Sequence, residues 1–346
     1  MKNTKCIIIT GTHHTPAIEL INLLRSDVKT SWKISYIGHR YPSETHIIHT
    51  IIPKLKVTFY NLDCGKFDRK NLDKTLLSIP KIISSFFKSL SLLNKIKPDI
   101  VVSFGGYVSV PVIMAAYFKK IPSITHEQTL TTSLSTKINS FFVNKIALSF
   151  DNSSPNKKTV VTGNLIRQDI FKTGSAKYDR LINLPLIYIT GGNQGSVFLN
   201  QLIIKLIPKL NRKFSIIHQT GKDFPVHHFP NYFPTSYIDT EDIGWVLNHA
   251  RIVISRAGAN TCQELDVLDK KSIIIPHPFT QQNEQLLNAD WLQHRHPDTV
   301  IVIPQPQANP TIVLHAVNQL LILPDTKKVT HQQPNFKLLH LIHELI

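Results

Sequence analysis

Short apolar runs typical of strands alternate with segments of helical periodicity along nearly the whole chain. This alternation favours a mostly parallel, doubly wound α/β sheet, because parallel strands need a crossover that is usually a helix. A polar stretch at residues 152–158 interrupts the pattern. One more short apolar run, residues 159–162, follows it, and the alternation then begins a second time. A chain of 346 residues is comfortable for two domains. The sequence therefore predicts two Rossmann-like domains, residues 1–163 and 164–346, facing each other across a cleft, with Gly163-Asn164 as the hinge.

Capping residues and prolines set the expected helix boundaries. Thr15 is the predicted N-cap of the first helix, with Pro16 at its first position, where a missing N–H costs little. Residues 73–97 form a long helical segment that Pro80 is predicted to interrupt. Residues 312–346 also have helical character, and the last helix is able to return to the first domain. The predicted strands cover residues 5–10, 31–38, 56–61, 98–104, 123–126, 146–150, 159–162, 185–190, 214–219, 235–238, 252–255, 272–276 and 300–303.

Two turns rich in small residues follow predicted strands in the second domain. They are GGNQGS at residues 191–196 and SRAGANTCQEL at residues 255–265. Each leads into a predicted helix, whose first N–H groups are unpaired and whose dipole is positive at that end. Helix starts of this kind bind anions such as phosphate. Two of them in one domain indicate a ligand that carries a diphosphate.

The formal net charge of +16 is concentrated in the first domain. Residues 1–163 hold 22 Lys and Arg against 9 Asp and Glu, an excess of +13, whereas residues 164–346 carry +3. Such an excess suits nucleic acid, anionic lipid or a phosphorylated substrate, or is simply a solvated lysine-rich surface. The chain has no interleaved aromatic and basic motif and no helix-turn-helix pattern, which argues against nucleic acid.

The three cysteines, Cys6, Cys64 and Cys262, have no spacing typical of a disulfide framework or a metal site. A reduced, cytoplasmic setting is the simplest interpretation. No apolar run reaches the ~18 residues expected of a membrane span, and the first run is too short for a signal peptide. Neither a metal nor a cofactor is predicted.

Several short motifs occur together in the order of one known family. They are GTHHTPA (11–17), FGGYVSVP (104–111), THEQT (125–129), TGNLIR (162–167), TGGNQGSVFLNQ (190–201), HQTGK (218–222), YID (237–239), SRAGANTCQEL (255–265) and IPHPFTQQNEQLLNA (275–289). The series resembles the family 28 glycosyltransferases of bacterial peptidoglycan synthesis, over roughly residues 5–320. The resemblance implies the GT-B fold, with the acceptor bound by the first domain and the donor UDP-N-acetylglucosamine (UDP-GlcNAc) bound by the second.

The same resemblance implies an inverting, metal-independent transfer of GlcNAc to a polyprenyl-diphosphate-linked MurNAc-pentapeptide, the step from lipid I to lipid II. Two alternatives keep the fold: a family 28 transferase with a different lipid acceptor, and a UDP-sugar-binding homologue that has lost catalysis. The HEQ and GGYVS segments disfavour an epimerase of similar architecture. Because the acceptor's lipid tail stays in the bilayer, a cytoplasmic enzyme bound peripherally to the inner face of the cell membrane is expected.

Two departures from the family pattern fall on the acceptor side. The first glycine-rich loop, GGTGGH in the family, is matched here by the stretch from Ile8 to His13, which keeps Gly11 and the histidine. Glycine allows close approach of backbone to phosphate, so its loss puts acceptor-diphosphate binding by this loop in question. The family's HEQN is HEQT here, with Thr129 in place of asparagine. The exact lipid acceptor therefore stays open.

By resemblance, His13 is the expected general base, since an imidazole suits proton transfer near neutral pH. His14 is its rival, and Glu127 either orients groups or acts as a base. Helix-start amides would stabilise the leaving diphosphate. The expected acceptor residues are Thr10, Gly11, Thr12 and Thr129. The expected donor residues are Arg167, Asn193, Gln194, Gly195, Gly258 and Ala259 at the diphosphate, Tyr237, Ile238, Thr261 and Glu264 at the uridine, and Glu284 and Gln285 at the sugar. An interdomain salt bridge is the alternative for Arg167, and the direction of Arg256 is open.

A basic amphipathic segment at residues 70–88 is the expected membrane face. A segment that mixes apolar and lysine side chains in this way can rest in the headgroup region. The alternative is an ordinary helix that packs its apolar side on the sheet. The apolar side chains are Leu76, Leu77, Ile79, Ile82, Ile83, Phe86 and Phe87, and the basic ones are Lys70, Lys74, Lys81 and Lys88.

Overall fold

The computed structural model describes residues 3–40, 52–65, 72–151, 157–175, 177–192, 195–222, 224–225, 227–325 and 336–346. The chain divides into two compact units. The first comprises Met1–Arg167 together with Pro334–Ile346, and the second comprises Gln168–Gln333. The division follows Arg167, slightly beyond the 163/164 boundary of the sequence-based expectation. No helix in the described ranges is long and apolar enough to cross a membrane.

A parallel sheet forms the centre of the first unit. Its strands are β1 (Asn3–Gly11), β2 (Thr30–Gly38), β3 (Thr58–Asn61), β4 (Ile100–Phe104), β5 (Ser123–Glu127), β6 (Lys145–Leu148) and β7 (Thr159–Val161). The helices between them are α1 (His14–Ser26), α2 (Ile52–Lys54), α3 (Leu72–Ile96), α4 (Ser109–Phe118) and α5 (Leu134–Phe142). The 7-stranded sheet has the order β3-β2-β1-β4-β5-β6-β7, and its paired strands are all parallel.

Both faces of this sheet are covered. Ile7 and Ile9 of β1 lie in the apolar core on the side of α1, whereas Ile8 packs on the opposite side with Val112 of α4. Successive side chains of a strand point to opposite faces, so a strand buried on both sides is apolar at every position. This explains why β1 reads as a continuous isoleucine run.

The second unit repeats the arrangement. Its strands are β8 (Leu186–Thr190), β9 (Ser215–Gln219), β10 (Tyr232–Thr235), β11 (Ala250–Ser255), β12 (Ser272–Ile274) and β13 (Val300–Val302). Its helices are α6 (Val197–Ile204), α7 (Ile207–Leu210), α8 (Thr240–His249), α9 (Ala259–Val267), α10 (Glu284–Arg295) and α11 (Pro310–Ile322). The 6-stranded parallel sheet has the order β10-β9-β8-β11-β12-β13. Both sheets therefore have the strand order of doubly wound nucleotide-binding folds.

The C-terminal helix α12 (Lys337–His343) packs on the first unit. Leu338 and Ile342 are fully buried in the core that contains Ile7 and Ile9. His343 Nε2 lies 2.9 Å from a carboxylate oxygen of Asp27, in the loop after α1. The end of the chain thus completes a core that its first strand begins.

One predicted strand is displaced along the sequence. The expectation was residues 235–238, but β10 covers Tyr232–Thr235, while the other strands agree with prediction to within two residues at each end. Pro234 lies within β10, and a proline cannot donate to a ladder. β10 is the edge of its sheet and pairs only with β9, so the missing N–H is tolerated there.

Two helix predictions were wrong in detail. Helix α1 has His13 as its N-cap and begins at His14, not after Thr15. Pro16 therefore lies within the first turn, where N–H groups have no helical acceptor in any case. Helix α3 continues through Pro80 without the predicted interruption. Packing along a long amphipathic helix outweighs the loss of one backbone hydrogen bond.

Candidate functional site

In each sheet the strand order reverses beside the first strand of that unit. Ligands of open α/β sheets bind beyond the carboxyl ends of the strands at such a reversal. It lies between β1 and β4 in the first unit and between β8 and β11 in the second. The loops after these strands carry the motifs GTHHTPA, FGGYVSVP, TGGNQGS and SRAGANT. The motifs singled out in the sequence thus occupy the usual ligand-binding ends of both sheets.

The loops after β1 and β4 are packed against each other. Gly11 has a φ of +136°, and a Cβ at this position would lie 2.7 Å from the backbone carbonyl carbon of Phe104. Thr12 N donates to the Gly105 carbonyl oxygen at 3.2 Å, and a Cβ on Gly106 would overlap the Thr12 side chain. Gly11 and Gly106 are therefore required for the close contact between these loops.

The two neighbouring histidines have different surroundings. His13 is exposed at the start of α1, and its ring lies beside Gly105, at which a Cβ would be 3.8 Å from His13 Nε2. His14 is only 7% exposed, and its Nδ1 is 3.0 Å from the Tyr36 hydroxyl. That hydroxyl donates to the Gly11 carbonyl oxygen at 3.0 Å. Because Tyr36 has one proton to donate, His14 Nδ1–H is the donor to Tyr36, which fixes the His14 tautomer.

The Glu127 carboxylate organises the loop between β5 and α5. It is 4% exposed, and its Oε1 accepts from Gln128 N at 3.0 Å, from Thr129 N at 3.3 Å and from the Thr129 hydroxyl at 2.8 Å. Its Oε2 accepts from Ser133 N at 2.8 Å. The Thr129 hydroxyl is also 2.6 Å from the Thr131 carbonyl oxygen. Both side chains are thus committed to contacts within this loop.

The other acceptor-side residues differ in accessibility. Thr10 is fully buried, and its hydroxyl has no hydrogen-bond partner in the described part of the chain. Gly11 is also buried, whereas Thr12 is half-buried. Of these three, Thr12 is the residue whose side chain reaches the surface of the unit.

His126, next to Glu127, is a buried residue whose contacts the sequence did not predict. Its Nε2 lies 3.2 Å from the Gly163 carbonyl oxygen, just after β7. Burial lowers the pKa of His126 to about 4, so the ring is neutral and Nε2–H donates to Gly163 at neutral pH. This hydrogen bond fixes the start of the segment that leads out of the first unit.

Acid should therefore destabilise the first unit partly through His126. The unfolded chain binds a proton on this ring below about pH 6.5, while the folded unit resists protonation until about pH 4. The contribution of neutral His126 to the free energy of unfolding is complete above the unfolded pKa. It is lost as the pH falls through this window, and the loss is at most about 3 kcal/mol. Urea unfolding at pH 7 and pH 4.5 checks this: His126→Gln should lose less free energy of unfolding between the two than the wild type. An equal loss in both proteins would contradict it.

The glycine-rich turn after β8 is held from several sides. Gly192 N donates to the Thr190 hydroxyl at 3.0 Å, and Gln219 Nε2 donates to the Gly192 carbonyl oxygen at 3.1 Å. Gly195 has a φ of +76°, and a Cβ there would overlap the Thr220 carbonyl oxygen. Ser196 caps α6 by accepting from Leu199 N at 3.3 Å. The predicted donor residues Asn193 and Gln194 lie outside the described residues.

Arg256 links the two turns of the second unit. Its side chain points beneath the first turn, with Nε donating to the Ser196 hydroxyl at 2.9 Å and Nη1 donating to the Ile275 carbonyl oxygen at 3.0 Å. The residue is 5% exposed, and burial lowers the pKa of its guanidinium to about 10. It remains charged at neutral pH, yet no carboxylate of the described residues pairs with it. A buried cation that has no counter-charge among the described residues therefore lies next to Ser196, in the predicted diphosphate turn.

The second turn opens helix α9. Its N-cap is Gly258, which supplies no side chain to cap the first amides. The N–H of Arg256 donates to the Thr190 carbonyl oxygen at 3.2 Å, so the ends of β8 and β11 are adjacent. Ala259 is the first helical residue, and Thr261 and Glu264 are one turn apart on the same side of α9. Within the described ranges, no group of three or more His, Cys, Asp and Glu side chains is arranged to hold a metal ion.

Tyr237 and Ile238 lie in the connection between β10 and α8, not in the strand. The Tyr237 carbonyl oxygen accepts from the Thr235 hydroxyl at 2.8 Å. Ile238 is buried and Tyr237 is half-buried. The connection therefore places both residues just beyond the carboxyl end of β10, and their contact with uracil stays a prediction.

Glu284 and Gln285 open helix α10. The Gln285 side-chain oxygen accepts from His277 N at 2.9 Å, while Gln285 N donates to the Thr280 hydroxyl at 3.2 Å. Asn288, further along α10, donates from Nδ2 to the Ala257 carbonyl oxygen at 3.1 Å. The helix predicted to contact the donor sugar is thereby attached to the turn predicted to contact the diphosphate.

Arg167 is the last residue of the first unit. Its predicted contact with the donor diphosphate would involve a group of the second unit, so it stays a prediction. Sequence reasoning missed the supporting roles of Tyr36, Arg256 and Asn288. For Tyr36 the available signal was a polar group within the apolar strand β2, because a buried polar group needs a specific partner.

Sequence comparison places both units in one family. The glycosyltransferase family 28 N-terminal domain matches residues 7–148, and the glycosyltransferase family 28 C-terminal domain matches residues 186–342. A UDP-N-acetylglucosamine–N-acetylmuramyl-(pentapeptide) pyrophosphoryl-undecaprenol N-acetylglucosamine transferase of Lachnospira eligens is 34% identical over 332 residues, covering 91% of both chains. The enzyme numbered 3 under the same name in Bacillus thuringiensis is 32% identical over 310 residues, covering 84% of this chain and 85% of its own.

Solved structures agree on the fold. Acinetobacter baumannii MurG aligns with a TM-score of 0.69 at 22% identity, covering 99% of both chains. The UDP-GlcNAc 2-epimerase of Neisseria meningitidis, solved with UDP-GlcNAc bound, aligns with a TM-score of 0.67 at 16% identity, also covering 99% of both chains. At these identities the likeness concerns the GT-B fold alone, whereas the domain matches and the sequence relatives identify the family. The chain belongs to glycosyltransferase family 28.

Proposed function

We propose that this protein transfers GlcNAc from UDP-GlcNAc to a polyprenyl-diphosphate-linked MurNAc-pentapeptide, with inversion and without a metal, converting lipid I to lipid II. The names of its relatives, which match most of the chain at up to 34% identity, support this substrate pair. The observation that carries the proposal is the turn pair of the second unit, in which the buried Arg256 cation lies beneath Ser196.

The donor's leaving group is UDP, and negative charge grows on its diphosphate as the sugar bond breaks. The transition state has oxocarbenium character, so departure of the diphosphate must be stabilised. Arg256 supplies a fixed positive charge, and the uncapped start of α9 supplies backbone donors. We assign Tyr237, Ile238, Thr261 and Glu264 to the uridine, since they follow β10 or lie on α9. These groups of the chain then stabilise the charge of the departing diphosphate, as a divalent cation does in other transferases.

His13 is the group proposed to take the proton from the acceptor hydroxyl. Its exposure at the carboxyl end of β1 supports this role, while His14 is buried and already bonded to Tyr36. We assign Glu127 to holding the β5–α5 loop, because its two oxygens accept four hydrogen bonds from that loop. The acceptor diphosphate would then meet Thr12 and the backbone around Gly11.

Identifying the product tests this proposal and separates it from the alternatives. The purified protein is incubated with UDP-GlcNAc and either lipid I or a diacylglycerol, and the lipid products are analysed by mass spectrometry. We expect a gain of one GlcNAc on lipid I alone. A glycosylated diacylglycerol would indicate a different lipid acceptor. UDP binding without a product on either lipid would indicate a homologue that has lost catalysis.

The first unit also carries an exposed apolar surface that suits peripheral membrane binding. Ile83 and Phe87 of α3 are 53% and 62% exposed, and Phe118 at the end of α4 is 62% exposed. Phe86 joins the two helices, with its ring centroid 5.7 Å from that of Phe118. The side chains of Leu76, Leu77, Lys70 and Lys74 lie outside the described residues, whereas Lys81 and Lys88 are exposed. Apolar side chains flanked by lysines suit the interface of an anionic bilayer.

Removing the apolar part of this surface should weaken membrane binding without affecting chemistry. For Ile83→Ser/Phe87→Ser we expect at least a ~10-fold lower partition onto vesicles containing phosphatidylglycerol, because two side chains no longer insert. Turnover of a water-soluble, short-chain lipid I analogue should stay unchanged. Ile322→Ser, which removes an isoleucine that is 84% exposed in the second unit, is the matched control. Equal vesicle binding by all three proteins would count against this surface.

A further inference from the structure

The second unit contains a cavity of about 530 Å³ beside α6. Val197, Ile204 and Lys205 line it from the helix side, while Lys222, Phe224 and His227 line it from the segment after β9. Its volume is within the range of small-molecule sites. None of Tyr237, Ile238, Thr261 and Glu264 lines it, so it is separate from the predicted uridine site.

The cavity exists because the crossover between β9 and β10 is irregular. Parallel strands are usually joined through a helix that covers the sheet, but the described residues between 220 and 231 form no helix. Three rings in this segment contact one another in sequence. The ring centroids of Phe224 and His227 are 5.4 Å apart, and those of His227 and Phe229 are 6.4 Å apart. The side of α6 is left uncovered, and Val197 is 72% exposed.

The lining has a definite chemical character. Lys205 and Lys222 are exposed at its edge, and neither forms an ion pair with any described residue. No described lining residue is acidic. Val197, Ile204, Phe224 and Pro225 contribute apolar or aromatic surface to the lining, and Ser196, Asn200, Gln201 and Thr220 contribute polar groups. A ligand that matches both features has a flat apolar part and one negatively charged end.

The cavity also borders the predicted diphosphate turn. Gly195 and Ser196 line it, and the turn is seated tightly on β9, because a Cβ on Gly195 would overlap the Thr220 carbonyl oxygen. Asn200 supports this contact by donating to the same Thr220 oxygen at 2.9 Å. The cavity and the turn thus share Gly195 and Ser196.

We propose that this cavity is a second binding site, which takes a small aromatic phosphate or carboxylate. The ring of the ligand packs against Phe224 and His227, and its anionic group lies between Lys205 and Lys222. This site is additional to the donor site and does not depend on the proposed transfer reaction.

The test uses phenyl phosphate and phenylacetate as probes, each measured first without UDP and then with UDP at saturation to occupy the donor site. Binding is followed by the broadening of the phenyl proton signals when full-length protein is added. We expect at least one probe to bind, and the tighter of the two identifies the anion class. Lys205→Gln/Lys222→Gln should weaken it at least ~10-fold. Val197→Trp, which fills the mouth of the cavity, should abolish binding.

Lys209→Gln/Lys213→Gln is the matched control, since it removes two exposed lysines from the neighbouring segment. It should leave the affinity for the probe unchanged, and UDP affinity should be the same in all variants. The proposal is overturned if neither probe binds, if the Lys205/Lys222 variant binds as tightly as the wild type, or if UDP displaces the probe. The last result would place the probe in the donor site.

Discussion

Replacing His13 with alanine should lower turnover by roughly 10²- to 10⁴-fold, the usual contribution of a positioned general base. The affinity for UDP should not change, because the groups proposed to bind the nucleotide belong to the second unit. The expected split is therefore a fall in kcat with an unchanged Kd for UDP. Steady-state kinetics with lipid I, together with calorimetric titration of UDP, measures both quantities.

His14→Ala provides the comparison for this experiment. His14 is buried and donates to Tyr36, which in turn donates to the Gly11 carbonyl oxygen. Its loss should lower the melting temperature, because the Tyr36 hydroxyl loses a buried partner. His13 is exposed, so His13→Ala should melt near the wild-type temperature. Turnover by His13→Ala within a few-fold of wild type would remove His13 as the base.

Replacing Arg256 with methionine should weaken UDP binding by about 10- to 100-fold, since an uncompensated buried cation near a diphosphate contributes strongly to its affinity. kcat should fall as well, because the same charge stabilises the leaving group as it departs. Methionine keeps much of the apolar stem that packs near Phe198, over whose ring the guanidinium lies at 5.3 Å. Titration with UDP and steady-state kinetics test the two effects separately.

Two further variants serve as controls for Arg256→Met. Arg256→Lys keeps the charge but cannot reproduce both the bond to Ser196 and the bond to Ile275. It should recover only part of the UDP affinity. Arg251→Met removes the arginine within β11, the strand that Arg256 follows; Arg251 pairs with Asp325 at 3.1 Å, and this variant should bind UDP normally. Wild-type UDP affinity in a folded Arg256→Met protein would rule out the assigned role.

The strand pattern was predictable from sequence because parallel strands buried on both faces are apolar at every position. The isoleucines of β1 are the clearest case. The strand at 232–235 was misplaced because Pro234 is acceptable only at an edge, and a sequence alone does not show which strand is the edge. The start of α1 was misplaced for a similar reason: Pro16 fits any position of the first turn.

The candidate site was predictable as a set of motifs, but not as a set of side-chain directions. The resemblance favoured His13 over the adjacent His14, but only the structure shows that they differ in burial and in the hydrogen bond to Tyr36. Arg256 points beneath its neighbouring turn because Ser196 and the Ile275 carbonyl lie there, and these partners are far from it along the chain. Glu127 is held within its loop by four donors that sequence reasoning did not anticipate.

The position of α12 has a consequence for how the protein is made. The core of the first unit contains Ile7 from its first strand and Leu338 from its last helix, so most of the polypeptide is synthesised between these two partners. The amino-terminal unit cannot finish burying its core on the ribosome until residues 337–343 have been released, by which time the other unit has already emerged. A shortened chain ending at Arg167 would expose the apolar surface that α12 covers to water and to chaperones.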